Sequence, residues 1–168
     1  HVGHETIEAG TILWAAGVSA SPLGASLGAP TDHVGRVLVH EDLTLPGHAE
    51  VFVVGDLASF RLADGSTLPG VAQVAMQQAA HAAANVLRMV AGRPREPFAY
   101  RFYGNMATIG RNAAVGDLGW VRLTGYPAWL MWLFIHIFQL IGFRNRFSVM
   151  TEWAFSYMTY QRSVRLIT

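Results

Sequence analysis

VFVVGD, Val51–Asp56, followed by LPGVAQVAMQQ, Leu68–Gln78, is the stretch that decides the fold. The run from Val51 to Val54 is apolar without alternation, as expected of a strand buried on both faces, and it stops abruptly at Gly55 and Asp56. Pro69 and Gly70 then precede an alanine-rich segment, Val71 to Ala91, with no internal Gly or Pro. A helix is predicted there, closed by Arg88, Gly92 and Pro94. An acidic residue directly after a buried strand and a glycine sits where open α/β sheets bind ligands. Gly55 allows close approach to the backbone, and a carboxylate at Asp56 can accept hydrogen bonds from polyol hydroxyls. The alternative is a turn aspartate that caps its own backbone.

Upstream, TILWAA from Thr11 to Ala16 reads as another buried parallel strand that stops at Gly17, and Gly35 to His40 leads toward the second strand. Downstream, Phe98 to Leu123 breaks into short runs rich in Gly and branched residues, which predict a small antiparallel sheet. The tail begins at Pro127 and runs through AWLMWLFIHIFQLI to Gly142. At 1.5 Å per residue such a helix reaches about 24 Å, short of a hydrocarbon core of about 30 Å. A second helix is predicted from about Ser148 to Arg165, after a turn at FRNR. It gathers Val149, Trp153, Tyr157, Tyr160 and Val164 within an arc of roughly 80°.

The 168 residues are 52% hydrophobic and 14% charged, with no cysteine and with arginine as every basic residue. Thiol chemistry and cysteine-ligated metals are excluded within the chain, and the seven histidines form no HExxH-like pair, so no metal is expected. Residues 1–125 carry eight arginines against ten acids, whereas 126–168 carry Arg144, Arg146, Arg162 and Arg165 against Glu152. Basic residues flanking aromatic and aliphatic runs point to a membrane surface and not to nucleic acid. Trp129, Trp132, Phe134, Arg144, Arg146 and Trp153 are the expected membrane contacts. The structural alternative is that these aromatics form core or a dimer interface. His136, beside Gln139, reads as a satisfied or snorkelling side chain.

The start of the predicted helix presents unpaired amides and partial positive charge, suited to an electron-rich ring carbonyl. Gly70 and Ala72 are small enough for planar contact. Gln73 and Gln77 share one helical face and can offer amides to a polar headgroup, or else are a solvated stripe or satisfied core amides.

VFVVGD and LPGVAQVAMQQ, preceded by TILWAAGV and followed by YRFYGNMATIGRNAAV, resemble the carboxyl-terminal part of a type II NADH:quinone oxidoreductase. The resemblance covers nearly the whole chain. It implies an α/β, Rossmann-like flavoprotein with two dinucleotide-binding domains, a small antiparallel sheet and carboxyl-terminal amphipathic membrane helices. The implied divisions are 1–20, the end of an NADH domain; 21–97, the returning part of an FAD domain; 98–125, a small β segment; and 126–168, the anchor. FAD is the implied cofactor and NADH the co-substrate, with Ala16, Gly17, Gly55, Asp56, Val71, Ala72 and Gln73 at the cofactor. Gln73 and Gln77 match the AQxxxQ pair beside a membrane quinone, ubiquinone or menaquinone. No residue of the chain is assigned as catalytic. The implied location is peripheral, on the cytoplasmic face of the cell membrane, with the tail helices also available for homodimer contacts.

No GxGxxG turn is present. Nothing near His1 reads as a signal peptide, so the chain is read as part of a longer protein, inactive toward NADH by itself. The rival readings are another flavin-dependent quinone reductase of the sulfide-oxidising type, disfavoured by the missing cysteines, and a non-enzymatic peripheral membrane module.

Overall fold

The computed structural model describes residues 4–13, 17, 19–140 and 142–159. These fall into two compact units that divide between Arg101 and Phe102.

In the first unit a short helix α1, Leu23–Ser26, precedes β1, Val37–Leu38, which pairs in parallel with β4, Ala58–Ser59. Between them lies an antiparallel hairpin of β2, Thr44–Leu45, and β3, His48–Phe52. Pro46 and Gly47 form its turn, with Gly47 at φ 83°. Helix α2, Ala72–Val90, is the long element. Its Val74 and Ala82 are buried with Leu43, Phe60, Leu68 and Phe98, and Phe60 meets Phe98 edge to face at 5.3 Å. A second cluster, Val37, Leu45, Val53 and Ala58, lies under the strand pairs.

The helix keeps its predicted span because alanine and straight-chain residues fill it, and Gly92 at φ 67° ends it. The VFVV strand is corrected: pairing ends at Phe52, and its partner is antiparallel. Val53 donates to Leu43 O at 3.1 Å and stays buried while the chain already turns toward Gly55. TILWAA is corrected in its described part. Thr11–Leu13 form no strand, and Ile12 and Leu13 are exposed; Trp14–Ala16 lie outside the described residues.

Residues 94–101 return along α2 without a strand partner. Polar side chains on one face of the helix take the place of a ladder. Arg88 Nε donates to Pro94 O at 2.7 Å and His81 Nε2 to Glu96 O at 2.8 Å. Asn85, fully buried, donates to Glu96 O and accepts from Glu96 N, both at 2.9 Å. Gln77 closes the far end, donating to Arg101 O at 2.9 Å and accepting from Arg101 N at 3.0 Å. Positions 77, 81, 85 and 88 are spaced by helical turns, so one face supplies these bonds, while Phe98 N donates to Glu41 O at 2.7 Å.

In the second unit β5, Asn105–Gly110, β6, Ala113–Asp117, and β7, Arg122–Thr124, form the expected antiparallel sheet. Helix α3, Gly125–Gln139, packs on β6, with Ala114 and Ala128 both fully buried. Helix α4, Phe143–Thr159, follows. Two boundaries are corrected. Helix α3 begins two residues before Pro127, and FRNR is the first turn of α4 because Arg146 Nε donates to Leu140 O at 2.7 Å, bracing the corner from inside the helix. Tyr160, Arg162, Val164 and Arg165 lie outside the described residues.

One charged joint fixes the approach to α2. Asp32 accepts from Val34 N at 3.0 Å, Arg36 N at 2.9 Å and Arg36 Nε at 2.7 Å, while Arg36 Nη1 donates to Leu68 O at 3.0 Å. Burial works to raise the Asp32 pKa, but the Arg36 and Val34 hydrogen bonds outweigh it and hold the carboxyl at about 2 against an ordinary 3.8. Asp42 is also held low: burial opposes the shift, and Thr44 and Arg95 overcome it. A depressed folded-state pKa gives stability that is present above pH 3.8 and lost as pH falls through about 2. Denaturant titrations should therefore show stability declining between pH 4 and 2. In Asp32→Asn, stability at neutral pH should be lower by about 2 kcal/mol and that decline shallower.

Candidate functional site

The strand that ends at Phe52 runs through Val54, in extended conformation, into a single 3₁₀ turn, Gly55–Leu57. Gly55 takes φ 71°, a conformation that a Cβ would strain, and a Cβ there would stand 3.4 Å from Ala75 Cβ on α2. The turn therefore lies directly on the first two turns of the helix.

Asp56 follows and is exposed. Its carboxylate rests against Gly70, where an added Cβ would sit 3.3 Å from Oδ1. Gly70 immediately precedes Val71, the N-cap of α2, whose side chain makes no capping bond. An aliphatic side chain cannot accept a hydrogen bond, so no side chain of the cap residue closes off the leading amides. Gly55, Asp56, Val71 and Ala72 are thus brought to one junction, with Ala72 exposed and Gln73 half-buried on the first turn. Gly17 has φ 86° and is exposed, and Ala16 lies outside the described residues.

Gln77 is bonded through both ends of its amide to Arg101, which leaves one N–H and one carbonyl lone pair for any other group. Sequence reasoning missed Gln78, its neighbour. Gln78 is fully buried, its Oε1 accepts from Gly55 N at 2.7 Å, and its Nε2 has no partner among the described residues. Only tertiary contact distinguishes it from Gln77, so no local pattern could have found it.

In the second unit the aromatics divide between two surfaces. Trp132 stacks on Trp153 with centroids 5.8 Å apart, and Trp129 meets Tyr157 at 5.8 Å. With Leu133, Ile137 and Met150 they line an apolar cavity of about 630 Å³. His136 stacks on Trp132, and its Nδ1 lies 2.7 Å from Trp132 O, so its ring is locally satisfied. Facing outward instead are Tyr126, Leu130, Phe134 and Phe138, spaced every four residues along α3 and all exposed. Arg146 lies over the Phe138 ring at 5.1 Å, and Arg144 is exposed. No helix among the described residues is long and apolar enough to cross a membrane.

The NDH2 C-terminal domain family matches residues 102–162, and the pyridine nucleotide-disulphide oxidoreductase family matches residues 2–79. Type II NADH:quinone oxidoreductase NdhA of Mycobacterium tuberculosis is 43% identical over 175 residues, covering 99% of this chain and 36% of that protein. Ndh of the same organism is 41% identical over 169 residues, covering 96% and 35%. The chain thus spans about a third of the length of these relatives. The structure of NDH2 from Plasmodium falciparum in complex with NADH superposes with a TM-score of 0.75 at 14% identity, over 90% of this chain and 46% of that one. The fold is therefore an α/β flavoprotein fold. Two family matches, one in each half of the chain, and relatives aligned across nearly every residue lead to one assignment: the chain belongs to the type II NADH:quinone oxidoreductase family.

Proposed function

We propose that the intact protein passes electrons from NADH through FAD to a membrane quinone, and that this chain supplies the flavin's polyol and ring contacts, the acceptor side and the membrane-facing surface. The observation that carries the reading is the junction where the Asp56 carboxylate and the uncapped start of α2 meet across two glycines.

The residues present fit a flavin. Asp56 is an exposed acceptor for ribityl hydroxyls, Gly55 allows the turn to close against Ala75, and Gly70 leaves room for the Asp56 carboxylate beside the helix start. The leading amides of α2, at Ala72 and beyond, offer the partial positive charge that favours an electron-rich ring carbonyl. When bound, FAD supplies a two-electron carrier between the nicotinamide and the quinone. The chain's own residues hold its polyol through Asp56, present a helix amino end to the ring, and place Gln73 in the first turn of that helix to hydrogen-bond a quinone carbonyl. Gln77 lies one turn further, and its bond to Arg101 sets the orientation in which its remaining donor can serve the same ligand. Gly17, in its left-handed conformation, is assigned to the side that brings the nicotinamide site toward the flavin.

The tail is read as a peripheral anchor on the cytoplasmic face. Helix α3 is apolar nearly all round; one side covers β6, and its Tyr126–Phe138 stripe is the side for lipid. The half-buried Trp129 and Trp132 and the exposed Trp153 serve that surface by holding α4 against α3. Phe134, Arg144 and Arg146 are the direct contacts. Homodimer contacts would use the same helices.

In the intact protein, Asp56→Ala should weaken FAD binding about tenfold or more, as expected for loss of a charge-assisted hydrogen bond, measured by reconstitution of flavin-free protein. Unchanged flavin affinity would remove the assignment. Gln73→Ala should slow reoxidation of the flavin by quinone more than its reduction by NADH in stopped-flow traces; equal effects on both half-reactions would count against Gln73 at the acceptor. Replacing Phe134 and Phe138 together by Ser should release the protein from anionic vesicles, cutting partitioning about a hundredfold at roughly 1.5 kcal/mol per ring, with the melting temperature unchanged. Undiminished sedimentation with lipid would refute the stripe.

A further inference from the structure

We propose that Gln78 is a positioning residue for the flavin site: its buried carbonyl fixes the Gly55 turn and thereby aims the Asp56 carboxylate. This rests on the flavin reading given above for Asp56.

Gln78 is fully buried, and its Nε2 has no partner among the described residues. A buried amide left with an unpaired donor costs about 1–3 kcal/mol. An apolar side chain of similar shape would avoid that cost, so a requirement for the other end of the amide is indicated. That end accepts the Gly55 N–H at 2.7 Å. Gly55 is the residue whose left-handed conformation turns the chain, and Asp56 is bonded directly to it. Few side chains could hold this turn at that point. Ala75, one helical turn earlier, only touches the position a Gly55 Cβ would occupy, and Gly70 only yields space to the carboxylate. The direction of Asp56 therefore depends on a peptide whose amide is anchored by one glutamine buried from solvent. Gln77, next in sequence, is committed to Arg101, so the two adjacent glutamines have separate tasks.

The test is a double-mutant cycle in the intact protein, with FAD affinity read by quenching of flavin fluorescence on adding FAD to flavin-free protein, and with thermal unfolding of that protein measured in parallel. Gln78→Met keeps the shape and removes the acceptor. It is expected to weaken FAD binding about tenfold when Asp56 is present and less than twofold in the Asp56→Ala background, because a positioning effect vanishes once the group it positions is gone. Wild-type affinity in Gln78→Met, or the same loss in both backgrounds, would overturn the proposal. Should Gln78→Met fail to fold, Gln78→Glu, which keeps an oxygen for Gly55, is expected to bind FAD within about threefold of wild type, and a tenfold loss there would overturn it. If Asp56→Ala alone leaves FAD affinity unchanged, the flavin reading itself fails, which is a different result from a Gln78→Met that is silent while Asp56→Ala is not.

Discussion

The amide of Gly55 has to be satisfied at the one place where the chain leaves β3, reverses through a left-handed residue and presents an acid to solvent. No strand can provide that bond, because pairing has ended at Phe52 and resumes in a different sheet at Ala58. The carbonyl of Gln78, reaching from the second turn of α2, provides it. Helix and turn are consequently locked as one body: Ala75 backs the glycine, Gly70 makes room for the Asp56 carboxylate, and Val71 leaves the start of the helix without a side-chain cap. A side-chain acceptor at position 71 would satisfy one of the leading amides of α2. The absence of a cap, ordinarily a loss of about 1 kcal/mol, is here the feature that makes the helix start available.

The rest of α2 follows the same logic of side chains standing in for a missing strand. Val74 and Ala82 give the helix its buried face, while Gln77, His81, Asn85 and Arg88 tie residues 94–101 to it by backbone hydrogen bonds. Asn85 is the costly member, since it is fully buried, and it is also the best satisfied, with bonds to both the amide and the carbonyl of Glu96. Such pairing removes the penalty that a buried amide otherwise carries. Gln77 ends this ladder at Arg101, so its amide answers to backbone geometry first and to a ligand second.

What could be read beforehand sorts by the range of the forces involved. Helix α2 was legible because composition and its Gly-Pro stop act locally, and the antiparallel strands 105–124 because neighbours in sequence pair. The described part of TILWAA was not, since a buried parallel strand is defined by partners distant in sequence, and Ile12 and Leu13 are exposed. FRNR reads as a turn because Asn and Arg are polar; the bond from Arg146 to Leu140 O, across the corner, makes it a helix start instead. Asp56 announced itself by following VFVVG. Gln78 could not, since glutamines 77 and 78 differ only in which side of a helix they occupy, and that side is chosen by the fold.

The tail shows why counting aromatics is insufficient and their angular position decides. Trp129, Trp132 and Trp153 are conspicuous in sequence, yet they stack across the gap between α3 and α4 and line a cavity there. The less conspicuous Tyr126, Leu130, Phe134 and Phe138 form the exposed stripe. Four large apolar side chains in a row exceed the scattered exposure ordinary on a soluble surface. Fifteen residues of α3 reach only about 22 Å, too short to cross a bilayer, so a lipid contact along this stripe requires the helix to lie in the plane of the interface. On the proposed anchor reading, Arg144 and Arg146, at the corner beyond Phe138, would meet the headgroup region and the phenyl rings would enter the acyl boundary. The stacked tryptophans would then have a definite mechanical part: by fastening α4 to α3 they would hold the stripe of one helix beside the basic corner of the other.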